Sequence, residues 1–421
     1  MNRRAVITST GIVGPQALNT EQFWDLIKNA RSAITRIKRF DATPTGCEIG
    51  GEVPPFSLDF IPAKFKPKRL ARHTHLLLKA GEQLVPHLPS DGSFNLRVGL
   101  ATSDIGMIAE SGVKRAKYGF EAACPTVISQ CSPNSAAGAL AMFLGCRGEV
   151  QTVSTACAAG MDAIGLAARD IYNGEATMVV AGGTDAPLGP SPLVEFVRSG
   201  LASKRKRFPE HSSRPFDAFA DTGVLGDAAG LVLIEESTSA LSAKRVPLCE
   251  VLGYGNFSDQ DPTRPGGGYA EAMQRALRSA NVTEEDIDAV FAWGPGHPVL
   301  DRAEADALVE VFADRLDEIP VTSIKGVIGN PLAGAGPLQV VAAALALSEG
   351  IVPPTANHEV AIPGINLDIV VGESLHSRPK IVLLNAHGVG GANCSLVLRR
   401  WEPEPWTPFH FTTHPAYGFL E

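Results

Sequence analysis

One pattern occurs twice in this chain and restricts its fold more than any other feature. An apolar run leads into a loop of small residues and then into a long alanine-rich helical stretch, first over 154–168 and again over 323–346. Short runs rich in aliphatic residues at 97–101, 178–181, 230–234, 289–292 and 381–384 are bounded by Gly or polar residues. They read as buried strands covered on both faces. Helical periodicity falls between them, at 20–29, 69–84, 160–173, 268–280, 304–312 and 337–349. Alternation of this kind predicts α/β layers. A duplicated α/β unit follows, with halves 1–245 and 246–401 joined where Glu-Glu-Ser-Thr-Ser leads into a new strand near Val246. Residues 402–421, rich in Pro, aromatic residues and His, form a tail outside the repeat.

The first small-residue loop holds Cys157, within Thr155-Ala-Cys157-Ala-Ala-Gly160. A cysteine between a strand and the first turn of a helix meets backbone N–H groups and the positive end of the helix dipole, which favour the thiolate. Cys157 is therefore a candidate nucleophile, set against the alternative of a buried structural thiol. Asp185 closes the next strand.

The 421 residues are 44% hydrophobic and 19% charged, with a formal net charge of −8. That balance gives no general attraction to nucleic acid or an anionic membrane. The seven cysteines, at 47, 124, 131, 146, 157, 249 and 394, show no CxxC or metal-ligand spacing. A reducing cytoplasmic setting, with no metal and no cofactor, is the expectation. The opening Met-Asn-Arg-Arg and its short apolar run read as a first strand, not a leader. No apolar stretch is expected to span a bilayer.

Further motifs run in a fixed order: Ser213-Arg-Pro-Phe-Asp217, Gly226-Asp-Ala-Ala-Gly230, Asp301-Arg-Ala-Glu304, Thr322-Ser-Ile-Lys325, Gly334-Ala-Gly336 and Gly390-Gly-Ala-Asn393. With the Cys157 loop they resemble the β-ketoacyl-acyl-carrier-protein synthases of the ketosynthase II type, from Arg3 to about Trp401. The resemblance implies the thiolase-like fold, a duplicated five-layer αβαβα arrangement, and a dimer. It also implies transfer of an acyl group from an acyl carrier protein to Cys157, then decarboxylative attack by a carrier-bound malonyl unit. The backbone N–H groups of Cys157 and Val389 are implied as the oxyanion hole.

Both histidines that the family uses for condensation are replaced. Trp293, in Phe-Ala-Trp293-Gly-Pro-Gly-His297-Pro, stands at the first, and Asn330, in Lys325-Gly-Val-Ile-Gly-Asn330, at the second. An asparagine amide can donate to a thioester oxygen, whereas an indole offers one donor and no base. His297 and His387 are possible substitutes, the alternative for each being a loop histidine with satisfied hydrogen bonds. Lys325 and Glu304 remain, either as catalytic groups or as an ion pair that orients loops. Val389 replaces a gating phenylalanine, and the small Ala333 and Ala335 are expected to widen access.

Two readings follow. In the first, the chain is an acyltransferase acylated at Cys157, with condensation impaired or altered, serving fatty-acid or polyketide biosynthesis. In the second, it is a non-condensing, chain-length-factor-like partner of a competent ketosynthase, although such subunits usually replace the cysteine as well. The expected partners are an acyl carrier protein bearing a phosphopantetheine-bound acyl or malonyl group and, in a homodimer or heterodimer, a second ketosynthase-like chain. Carrier proteins are acidic, so the basic runs Lys64, Lys66, Lys68, Arg69, Arg72 and 204–207 are candidate docking patches.

Overall fold

The computed structural model describes residues 3–205 and 207–403. Lys206 of the second basic run, and 404–421 of the tail, lie outside them. Ten strands form one continuous sheet. In chain order they are β1 (Ala5–Val13), β2 (Asn95–Leu100), β3 (Val150–Val153), β4 (Met178–Asp185), β5 (Ala228–Glu236), β6 (Cys249–Ser258), β7 (Ala289–Phe291), β8 (Val321–Thr322), β9 (Ile381–Gly388) and β10 (Ala392–Arg400). The principal helices are α1 (Arg72–Glu82), α2 (Ala159–Asn173), α3 (Tyr269–Ala280), α4 (Pro298–Phe312) and α5 (Ala335–Glu349).

The duplication is visible in the strand order. Starting from the strands that meet in the middle, one half runs β1-β5-β4-β2-β3 and the other β6-β10-β9-β7-β8. By rank along the chain the two orders are identical, and so are the strand directions. The first two pairings in each half are antiparallel and the last two parallel. The halves join through Val6–Glu250 and Ile7–Cys249 of β1 and β6.

Three apolar layers fill the spaces between five layers of structure. One lies between α1 with helix Ser135–Leu144 and the first half-sheet, and includes Leu76, Leu140, Val98 and Leu231. The central layer encloses α2 and α5 between the two half-sheets. The third lies under α3 and α4, with Met273, Leu308, Leu383 and Val397. This is the αβαβα arrangement. The stretch Leu332–Glu349, containing α5, is 18 residues long and apolar enough to cross a membrane, contrary to the sequence expectation, yet 83% of it is buried within the protein. It is a core helix, apolar on every side because it is enclosed on every side.

Most strands and helices fall where the periodicity puts them. The main omissions are β10 and helices Ile105–Tyr118, Ser135–Leu144 and Pro190–Arg198; β6 starts at Cys249, three residues past the expected start, and β3 and β8 are expected only as the runs ahead of the two small-residue loops. Strand β3 is a four-residue edge with polar positions, and β8 is only two residues long, so neither carries a full period. Helix α4 begins six residues ahead of the expected start because Pro298 occupies its first turn, where a missing N–H costs nothing.

The central helices meet at their N-terminal ends. A Cβ on Gly160 would lie 2.1 Å from the Ala333 carbonyl oxygen and 2.6 Å from Pro337 Cδ, and one on Gly336 would lie 2.6 Å from Met161 N. Only glycine fits at either position. Gly160→Ala is therefore expected to destabilise the protein by about 1–3 kcal/mol, read from its urea-unfolding midpoint. An unchanged midpoint would mean that the helix ends can separate without cost.

Candidate active site

Each central helix is entered through the same tight turn. The turn Ala156–Ala158 precedes α2, and Leu332–Gly334 precedes α5. The first residue of each is left-handed, Ala156 at φ +50° and Leu332 at φ +51°. Such backbone is uncommon outside glycine and persists only where its surroundings hold it. Cys157 therefore sits on a sharp elbow, and Ala333 is its counterpart in the other half.

Each elbow rests against the end of the fourth strand of the opposite half. Asp185, at the end of β4, accepts a hydrogen bond from Ala333 N at 3.0 Å and others from Ala101 N, Thr102 N and Thr102 Oγ1. Gly388, at the end of β9, lies against the Cys157 elbow, where a Cβ would be 2.4 Å from Thr155 O and 3.3 Å from Cys157 N. Ala333 and Ala335 are buried in this junction. They permit the close approach of the helices and do not widen access.

Cys157 is buried. Removal from water pushes its thiol up to about 12, and the Asp185 charge adds to that; Lys325, the Val389 backbone N–H and the Asn330 side chain pull the other way. Desolvation thus opposes the thiolate that a helix N-terminus favours. The structure brings Val389 and Asn330 to the sulfur as donors. The Val389 side chain is 60% exposed, so it closes nothing over the site. Asn330 is held through its backbone, with N on Val224 O and O on Gly226 N, and its Oδ1 is buried without a partner.

Lys325 and Glu304 clasp the peptide of Trp293. Glu304 Oε1 accepts from Trp293 N at 2.9 Å and Oε2 from Gly294 N at 2.8 Å, while Lys325 Nζ donates to Trp293 O at 2.6 Å. The Lys325 ammonium also lies 4.9 Å from the Trp293 ring centroid. Burial lowers the Lys325 pKa and raises that of Glu304, and each charge partly offsets the other's shift. Through these bonds the two side chains hold the backbone of residue 293 from both sides. Asp301 works beside it, accepting from Phe216, Gly296 and His297 N–H groups, with burial raising its carboxyl to about 8.

Of the two substitute histidines, His387 is bonded to another side chain, whereas His297 Nδ1 is buried without a partner. His387 is buried with Nδ1 2.9 Å from Asn393 Oδ1, and alternation along β9 turns it to the face of Asn385, whereas Ala386 and Gly388 face the Cys157 side. His297 caps α4, and the charge it feels is Asp221. Of the basic run, Lys64, Lys66, Lys68 and Arg69 are exposed on two short turns, while Arg72 is tied to the buried carboxylate of Asp227 at 2.8 Å. One buried residue near the sulfur went unnoticed in the sequence. Tyr269 begins α3, and Cys157 is among the charges that act on it.

Alkylation of Cys157 by iodoacetamide, followed by peptide mass, is expected to rise about tenfold per pH unit up to at least pH 9, as the thiolate fraction grows. Lys325→Met removes a charge that lowers the thiol pKa and should slow alkylation at pH 8 severalfold. A plateau below pH 8 would contradict the high thiol pKa.

Residues 2–240 match the family model of the β-ketoacyl synthase N-terminal domain, and residues 248–359 that of the C-terminal domain. The chain is 31% identical over 415 residues to the 3-oxoacyl-acyl-carrier-protein synthase 2 of Synechocystis sp., covering 95% of this chain and 99% of that one. It is 32% identical over 420 residues to a putative polyketide β-ketoacyl synthase 1 of Streptomyces halstedii, covering 94% and 98%. Among solved structures, the ishigamide ketosynthase/chain length factor superposes with a TM-score of 0.87 at 28% identity, covering 96% of this chain and 100% of that one. The chain belongs to the β-ketoacyl synthase family.

Proposed function

We propose that this protein is an acyltransferase of the ketosynthase type that accepts acyl chains from an acyl carrier protein in fatty-acid or polyketide biosynthesis, with Cys157 as the acyl acceptor. The observation that carries this reading is the intact elbow, in which Cys157 follows a left-handed alanine and meets the Val389 N–H and the Asn330 amide at its sulfur. Attack of that sulfur on a carrier thioester forms the Cys157 thioester and releases the pantetheine thiol, which takes the proton that Cys157 gives up. Charge that develops on the carbonyl oxygen meets the N–H groups of Cys157 and Val389. Gly388 keeps that approach open, since a side chain there would lie over Cys157 N.

Condensation has weaker support. Trp293 supplies one donor and no base, and His387 is bonded to Asn393. Loss of one preorganised donor typically slows such a step about 10²–10³-fold. Lys64, Lys66, Lys68 and Arg69 are the exposed charges suited to an acidic carrier. The protein works in a reducing cytoplasm as a homodimer or as half of a heterodimer.

A second reading is favoured by the same two replacements. The protein pairs with a condensing ketosynthase and shapes its acyl tunnel, and its likeness to the ishigamide ketosynthase/chain length factor is in keeping with that role.

Intact mass after incubation with acyl carrier protein loaded with an acyl chain separates the two. The first reading expects an acyl adduct that Cys157→Ala abolishes. No adduct with any chain length, together with co-purification of a second ketosynthase-like chain, would replace it by the second. Carbon dioxide release from malonyl carrier protein is expected to be at least 10²-fold slower than in a histidine-containing relative.

A further inference from the structure

Behind the nucleophile, four side chains form a column. The Tyr269 ring lies 5.5 Å from that of His387 at an interplanar angle of 38°, His387 lies 5.5 Å from Trp293 at 73°, and Lys325 Nζ lies over the outer face of Trp293. Tyr269 is fully buried and Trp293 is 2% exposed, and the Tyr269 hydroxyl and Trp293 Nε1 are both without a hydrogen-bond partner. The imidazole between them is satisfied through Asn393, whose amide in turn donates to Asp259. Two orphan donors therefore flank one fixed ring, and Cys157 is among the charges that act on Tyr269 and on Lys325.

A buried donor that makes no bond destabilises the fold, and such a group persists where a ligand completes it. Trp293 Nε1 can only donate, and the phenol is pushed well above its ordinary pKa, first by burial and then by the charges of Glu304, Asp301 and Asp259, and stays protonated. The complementary ligand atom is an oxygen that gains negative charge during reaction.

We propose that Tyr269 is a further catalytic residue, its hydroxyl donating together with Trp293 Nε1–H to the thioester oxygen of a bound malonyl unit. This rests on the reading of Cys157 as acyl acceptor. As the bond between the carboxylate and the methylene carbon breaks, carbon dioxide departs and the electron pair passes to that oxygen as an enolate. The enolate carbon then forms a bond to the acyl carbonyl carbon, and the bond from that carbon to Cys157 Sγ breaks. The sulfur leaves as thiolate and recovers its proton from solvent.

Tyr269→Phe removes one oxygen and keeps the ring. The proposal expects the variant to melt at or above the wild-type temperature without ligand, because an unpartnered buried hydroxyl has gone. It also expects the Cys157 acyl adduct at the wild-type level, with malonyl-coenzyme A binding and carbon dioxide release from malonyl carrier protein reduced about tenfold or more. Wild-type values for binding and release in the variant would overturn the proposal and leave Cys157 chemistry intact. A wild-type protein that forms the adduct yet neither binds malonyl-coenzyme A nor releases carbon dioxide would also overturn it. Absence of the adduct in the wild type would instead remove the reading on which it rests. Should the variant fail to fold, the near-ultraviolet difference spectrum of the wild type on adding malonyl-coenzyme A decides, with no tyrosine or tryptophan band counting against the proposal.

Discussion

The structure depends on how closely two helix ends can meet. Gly160 and Gly336 allow α2 and α5 to touch backbone to backbone, and each half-sheet then wraps its own helix while its fourth strand reaches the other. Cys157 owes its position to contacts that come mostly from the opposite half: Gly388 beneath its elbow, Asn330 and Lys325 beside its sulfur. Neither half alone contains the site. A duplicated fold with a single active centre requires an arrangement of this kind, because the chemistry lies at the junction of the halves.

Burial in that junction sets the chemistry. In water-excluded surroundings the Cys157 thiol is held neutral, and burial raises the Asp185 carboxyl to about 7 against the hydrogen bonds it accepts. A thiol of this type is unreactive until substrate brings a proton acceptor with it, which a departing thiolate does. The Lys325–Glu304 pair serves the same junction mechanically. By taking the N–H and the C=O of one peptide it fixes residue 293 whichever side chain that residue carries.

How much of this could be read from the sequence depended on the range of the interaction concerned. The duplication, the central helices and Cys157 were legible because each is a local pattern repeated with the same spacing. Trp293 and Asn330 stand out in the sequence because they interrupt motifs whose other residues are in place. Tyr269 does not, since a tyrosine opening a helix after Gly-Gly-Gly carries no signal until folding sets it against His387 from a strand more than a hundred residues away. The thiol pKa was misjudged for a related reason. A helix N-terminus can be seen in sequence, but the depth at which it is buried cannot. His387 imitated a family histidine in its immediate neighbours, and only strand alternation turned it away from the sulfur.

The two elbows also differ in a way that suits only one of them to the nucleophile proposed for Cys157. At the second, Asp185 sits at the end of the approaching strand and takes the Ala333 N–H for itself. At the first, the approaching strand ends in Gly388, which has no side chain to take the Cys157 N–H. The difference between a structural turn and a candidate oxyanion site thus reduces to the residue at the end of the facing strand, carboxylate in one half and glycine in the other. Once the Ala333 N–H is occupied, a cysteine at 333 would have no free backbone donor for a carbonyl oxygen. The asymmetry lies in what each half presents to its twin, and the backbone symmetry that produces both elbows is left unbroken.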